Sequence, residues 1–169
     1  TGITLIDRAQ TNLGNFIADA YRAATGADIA FVTAREIGEG IVKGEITIAD
    51  MAATLPEVKA LVTVTVTGAQ LLDALEASYC ALPEASFDYM HVSGAYVVLD
   101  LNNTVEVGYT EDGVYSGITG DRRVKEILVR ENTEIDAQAS YTVTFSSGAS
   151  SHFADILTGA AVEADTVTN

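Results

Sequence analysis

Two histidines, His91 and His152, and one cysteine, Cys80, are all the imidazole and thiol this chain possesses. Neither histidine has a second His or Cys at ligand spacing, so a zinc-type site lacks a donor set. The acids Glu36, Glu39 and Glu45 do not follow the alternating Asp/Asn pattern of a calcium loop. In GASSH, residues 148–152, two serines precede His152. Chain neighbours rarely face one another, and the stretch is not a G-x-S-x-G elbow, so a turn outweighs a hydrolase nucleophile at Ser151 and His152. Cys80 lies in an apolar helical stretch without a cationic or His neighbour and reads as a structural thiol. The glycines at 38, 40 and 44 have acids around them, which repel phosphate rather than cradle it. Carboxylate pairs are abundant, but among 24 acidic residues any spacing arises by chance. The sequence therefore supplies no self-sufficient active site and no metal site of its own.

Nine Lys plus Arg against 24 Asp plus Glu give a formal charge of −15, a field that repels nucleic acid and anionic membrane surfaces. With 169 residues, 48% of them hydrophobic, the chain can bury a sizeable core, and residues 1–169 read as a single domain. No apolar run reaches the 18 residues that a membrane span requires. The opening TGITLIDRAQ lacks the basic and apolar regions of a signal peptide. Its start without Met is expected of a mature product or a domain excised from a larger chain.

The elements that must position any site alternate between two periods. Leu13, Phe16, Ile17, Ala20, Tyr21 and Ala24 fall on one face of a helix, with Asn12 as its expected N-cap and Gly26 as its stop. Ile29–Val32 reads as a short buried strand, and 33–45, with three glycines, as a long loop. Thr47 with Asp50 and Thr67 with Gln70 are capping-box patterns, the first opening a helix at 48–54 and the second standing ahead of the helical LLDALEASYCAL (71–82). The second helix carries a stripe of Leu72, Leu75, Tyr79 and Leu82. Val/Thr alternation in 61–66 predicts a strand with one apolar and one hydroxyl face. After Val92 the pattern is mainly β: 95–101, a turn at Asn102-Asn103, 104–109, an acidic glycine-containing loop, 123–129 and 141–145. A flexible SSGASSHF loop and a short helical FADIL follow. Early helices and late hairpins predict an α+β fold, with mixed β-sheets packed against helices.

The order of motifs adds a resemblance. TNLGNFIADAYR (11–22), GADIAFV (26–32), GEITIADM (44–51), Leu55-Pro56, LVTVTVTGAQLLDALE (61–76), HVSG (91–94) and YTVTF (141–145) occur in sequence. Together they resemble the C-terminal domain of the 5′-nucleotidase / 2′,3′-cyclic-nucleotide phosphodiesterase family over residues 8–157. The resemblance implies a nucleotide-recognition domain whose partner is an N-terminal metallophosphatase domain of the same parent chain. The two divalent metal ions that activate water would belong to that other domain, which accounts for the scarcity of histidine here. It also implies an extracytoplasmic location, whether secreted, periplasmic or surface-attached.

The ligand-facing loops depart from the family pattern. Where the family usually reads N-G-G-G-I-R, this chain has Thr33-Ala34-Arg35-Glu36-Ile37-Gly38, so Gly38 replaces an anion-gripping Arg. Arg35, three residues earlier, is the candidate to reach the same space. The usual L-P-F-G-N is Leu55-Pro56-Glu57-Val58-Lys59, and Glu57 has no ring to stack on a base. The last loop, FSSGASSHF, is shorter than its G-G-D-G-Y counterpart, leaving Phe145, His152 or Phe153 to supply an aromatic face. Arg8 is offset by about one residue from a commonly contributing Arg. The substrate-binding candidates implied are Arg8, Asn12, Asn15, Arg35, Lys59, Phe145, His152 and Phe153. Two functions follow: the substrate-recognition domain of a nucleotidase-type phosphoesterase with a partly degenerate nucleotide site, or a non-catalytic binding or structural module derived from it.

Overall fold

Helix α1 (Asn12–Thr25) begins with Thr11 as N-cap, one residue before the expected Asn12. The Thr11 hydroxyl accepts from the Gly14 N–H at 3.1 Å, while Asn12 is exposed and its carboxamide oxygen accepts from the Leu13 N–H at 2.9 Å. The buried face is also rotated. Gly14, Ile17 and Ala18 are buried, whereas Phe16, Ala20 and Ala24 are exposed. Gly14 causes the rotation. A Cβ there would stand 2.1 Å from His91 Cγ, so only glycine lets the helix lie directly on the imidazole.

The computed structural model describes residues 4–57, 59–129, 132–149, 151–157 and 162–163. After α1 come β1 (Ile29–Thr33), a 3-10 turn at Ala34–Glu36, α2 (Ile48–Thr54), β2 (Leu61–Thr67) and α3 (Gly68–Tyr79). Then follow β3 (Met90–Ser93), β4 (Ala95–Leu99), β5 (Val105–Tyr109), β6 (Tyr115–Gly120), β7 (Val124–Val129), β8 (Thr133–Glu134) and β9 (Ser140–Ser146). Helix α4 (Ser151–Leu157) and β10 (Val162–Glu163) complete the described elements. Both capping boxes form. Asp50 accepts from the Thr47 N–H at 2.8 Å, and Gln70 from the Thr67 N–H at 2.8 Å.

The main sheet has the order β10-β2-β9-β1-β3, with β1 parallel to β9 and the remaining pairs antiparallel. Two smaller sheets, β4-β7-β8 and β5-β6, make up the rest, so the fold is mixed α+β. Strand β6 corrects the expected acidic loop. Tyr115, Ile118 and their neighbours pair with β5 despite Gly117 at φ 129° and Gly120 at φ 84°. Those glycines interrupt the strand pattern in sequence, while Gly120 lets β6 approach the Thr104 carbonyl, which an added Cβ would meet at 2.5 Å.

The core joins α3, α4 and the sheets: Phe31, Leu71, Leu75, Tyr79, Ile127, Val143 and Leu157 are all buried. Glu76, fully buried on α3, accepts from the backbone N–H groups of Arg123 and Val124 at 3.1 and 2.9 Å. It thereby fastens the start of β7 to the helix. Cys80, half-buried at the end of α3, donates to the Ala77 carbonyl, and burial pushes its thiol pKa up.

Candidate functional site

Sheet topology brings three separated loops to one place. Strands β1 and β9 run parallel, so Thr33 and Ser146 end at the same edge of the sheet. Strand β2 is antiparallel to β9, with Leu61 opposite Ser146, so its entry lies at that edge as well. The Ser147 N–H donates to the Ala60 carbonyl at 2.8 Å, tying two of the loops together. Between them lies a cavity of about 190 Å³, lined by residues that include Tyr21, Arg35, Glu36, Glu57, Lys59 and Gly148.

Glu36 organises this cavity. Its Oε2 accepts from the Thr33 N–H at 3.0 Å and the Thr33 hydroxyl at 2.9 Å, and its Oε1 accepts from the Ser146 hydroxyl. One carboxylate thus locks the 3-10 turn to the end of β9. The Tyr21 phenol, half-buried beside it, is pushed up to about 12 by burial and by the Glu36 charge, so it stays a neutral hydroxyl. Across the opening, Lys59 Nζ meets Glu57 Oε2 at 2.8 Å. That hydrogen bond and the opposite charges raise the Lys59 pKa and lower the Glu57 pKa. The Lys59 stem lies where a Gly148 side chain would be, 2.4 Å from Cδ to an added Cβ.

The arrangement suits a small polar ligand group better than a bare phosphate. Two carboxylates and two cations line the cavity, and both cations already have anionic partners. Arg35 does not aim its guanidinium inward: Nη2 donates to Asp88 at 3.2 Å, and Cζ stands 5.6 Å over the Phe87 ring. Gly38 is no vacancy awaiting an arginine either. Its N–H donates to the Thr54 carbonyl at 2.8 Å, and an added Cβ would lie 2.5 Å from the Ala53 carbonyl oxygen.

The other candidates are dispersed. Phe145 stacks on Phe31 at 4.8 Å, and Phe153 meets the same ring edge-on at 6.0 Å; both are buried in the core. Neither ring is among those lining the cavity. His152 is the second residue of α4, and its side chain lies outside the described residues. Arg8 pairs with Asp7 at 3.1 Å in the segment before α1. Asn12 and Asn15 line two different hollows, one beside Phe16 and Val42, the other beside Tyr89 and Tyr96. Of the candidates, Arg35 and Lys59 line the cavity at the strand ends. Sequence reasoning did not select Tyr21 or Glu36. Glu36 had a signal, since Thr33 and Glu36 have capping-box spacing; Tyr21 had none beyond its place on the apolar stripe.

His91 lines none of these three cavities. It is fully buried, accepting at Nδ1 from the Thr11 N–H at 3.4 Å and donating from Nε2 to the Ile6 carbonyl at 2.8 Å. Burial pushes its pKa down, against the smaller upward pull of the Ile6 carbonyl. Among the described residues no group of three or more His, Cys, Asp and Glu is placed to hold a metal ion. No described helix is long and apolar enough to cross a membrane.

The whole arrangement has relatives. Residues 4–156 match the family described as 5′-nucleotidase, C-terminal domain. The chain belongs to that family. A trifunctional nucleotide phosphoesterase protein, YfkN, from Bacillus subtilis (strain 168) is 36% identical over 98 residues, which are 56% of this chain and 7% of that protein. The crystal structure of a 5′-nucleotidase precursor from Thermus thermophilus superposes with a TM-score of 0.74 at 26% identity, covering 95% of this chain and 30% of that one. The NAD nucleotidase of Haemophilus influenzae shares the fold, with a TM-score of 0.64 at 19% identity over 85% of this chain and 25% of that one. The chain thus spans less than a third of the length of each of these relatives.

Proposed function

We propose that this chain is the substrate-recognition domain of a 5′-nucleotidase-type phosphoester hydrolase whose grip on nucleotides has weakened. In this reading it is a single domain of a longer extracytoplasmic protein that acts in nucleotide catabolism. A metallophosphatase domain of the same parent would supply two divalent metal ions and the water they activate. This chain's own residues would bind and orient the substrate, with Tyr21, Glu36 and the Glu57–Lys59 pair forming the wall of its pocket. Extracytoplasmic placement draws support from the Thermus thermophilus relative, described as a precursor.

The observation that carries the reading is the convergence of the 33–38, 55–59 and 146–149 loops on one cavity. The weakened grip rests on what those loops contain: Gly38 packed on the Ala53 carbonyl, a carboxylate at 57, and Phe145 stacked inside the core. Each lost charged or stacking contact removes roughly 1–3 kcal/mol. A second reading, a non-catalytic binding module derived from the same domain, is favoured by the Gly38 packing.

A chimera separates the two. The chain is joined behind the metallophosphatase part of the Thermus thermophilus enzyme in place of that enzyme's own C-terminal part, and phosphate release is followed. Turnover of AMP with a KM at least about tenfold above that of the unmodified enzyme is the expected result. A correctly folded chimera that hydrolyses neither AMP nor UDP-glucose would overturn the recognition role and leave the binding module.

A further inference from the structure

A second cavity, of about 290 Å³, opens where β3 turns into β4 through Gly94 at φ 85°. It shares no lining residue with the cavity at the strand ends. Its polar groups are the carboxamides of Gln10 and Asn15 and the tyrosines 79, 89 and 96; its remaining wall is aliphatic. No charged side chain lines it, although the protein carries a formal charge of −15.

The parts differ in how far they are committed. Gln10 is fixed, donating from Nε2 to the Met90 carbonyl at 2.9 Å, a carbonyl that also accepts from the Tyr79 hydroxyl at 3.2 Å. Asn15 and Tyr96 are exposed, and neither side chain hydrogen-bonds any described residue. An aromatic face and a carboxamide therefore stand at the opening without an internal task.

We infer that this cavity binds a neutral pyranose sugar. A sugar hydroxyl is both donor and acceptor, and each carboxamide offers both. The apolar C–H face of a pyranose ring packs on a tyrosine as other apolar surfaces do. A phosphate or an ammonium group would lose its hydration here with no opposite charge in return. A volume of about 290 Å³ stands at the lower end of small-molecule pockets, enough for one ring but not for a sugar nucleotide.

Saturation-transfer NMR on the 169-residue chain tests this, with methyl glucoside, methyl galactoside and methyl N-acetylglucosaminide as probes. The expected result is transfer to the ring protons of at least one probe, with a Kd of about 1 mM, appropriate to a ligand of this size. Tyr96→Ala and Asn15→Ala, both at exposed positions, should each weaken binding about tenfold while leaving the urea midpoint unchanged. Lys59→Ala, at the other cavity, should leave it intact. No transfer from any probe at roughly 20 mM overturns the inference. So does a Kd that is unchanged in both variants, or one that rises in Lys59→Ala instead. Stronger transfer from adenosine, lost in Tyr96→Ala, would also overturn it and assign the cavity to a nucleobase.

Discussion

Replacing Gly14 with alanine reverses the usual sign of a glycine-to-alanine change in a helix. The substitution normally favours a helix by up to about 1 kcal/mol, less in the first turn. Here the new methyl would meet His91 at 2.1 Å from Cγ, 2.3 Å from Nδ1 and 2.6 Å from Cδ2. The ring has to move by more than about 1 Å to restore van der Waals contact. It is fully buried and held at both nitrogens, so no free space receives it. Overpacking costs about 1–3 kcal/mol, and each ring hydrogen bond lost adds about 1 kcal/mol. The net destabilisation expected for Gly14→Ala is therefore about 2–4 kcal/mol. With a urea m-value of about 2 kcal/mol/M for a chain of this size, the midpoint should fall by about 1–2 M. Adding the change to His91→Ala, where the ring is gone, should cost at least about 1 kcal/mol less than adding it to the wild type. A Gly14→Ala midpoint equal to or above that of the parent would refute the reasoning, because it would mean that the helix does not rest on the imidazole.

Three further outcomes follow from named contacts. The His91 pKa is lowered in the fold, so below about pH 6.5 the unfolded chain takes up a proton that the folded chain refuses. Stability should fall by up to about 1.4 kcal/mol per pH unit from there toward the folded pKa, and urea midpoints between about pH 7.5 and 5 should lose that component in His91→Gln. Glu76→Ala leaves the buried N–H groups of Arg123 and Val124 without their acceptor, and a loss of about 2–4 kcal/mol is expected in the same assay. Gly38→Arg should not rebuild an anion site. The Cβ would meet the Ala53 carbonyl oxygen at 2.5 Å, so a lower midpoint and no tighter AMP binding by calorimetry are the expected pair of results.

Local chemistry was legible in the sequence wherever a few neighbouring residues decide the structure. The Thr47/Asp50 and Thr67/Gln70 boxes, the Val/Thr alternation of β2 and the Gly26 stop are decided by adjacent side chains and appear in the fold as read. Choices that depend on distant partners were not legible. The buried face of α1 is set by His91, 77 positions beyond Gly14, so hydrophobic periodicity alone placed Phe16, Ala20 and Ala24 on the wrong side. Strand β6 was hidden because its glycines suppress the β pattern, although they make its pairing with β5 possible. At the site, motif order pointed to loops 33–38 and 55–59, which share a cavity. Side-chain direction was another matter. Arg35 turns to Asp88 and Phe87, and Phe145 finds a ring inside the core, because those partners come from strands and loops remote in sequence.

The proposed loss of nucleotide grip is tested most directly by titrating the 169-residue chain with AMP in a calorimeter. A Kd of about 1 mM or weaker is expected, since Gly38 has no side chain to hold an anion and Glu57 no ring to stack on a base. A Kd of about 1 μM would contradict it, showing that the cavity lined by Tyr21, Glu36 and the Glu57–Lys59 pair holds a nucleotide firmly.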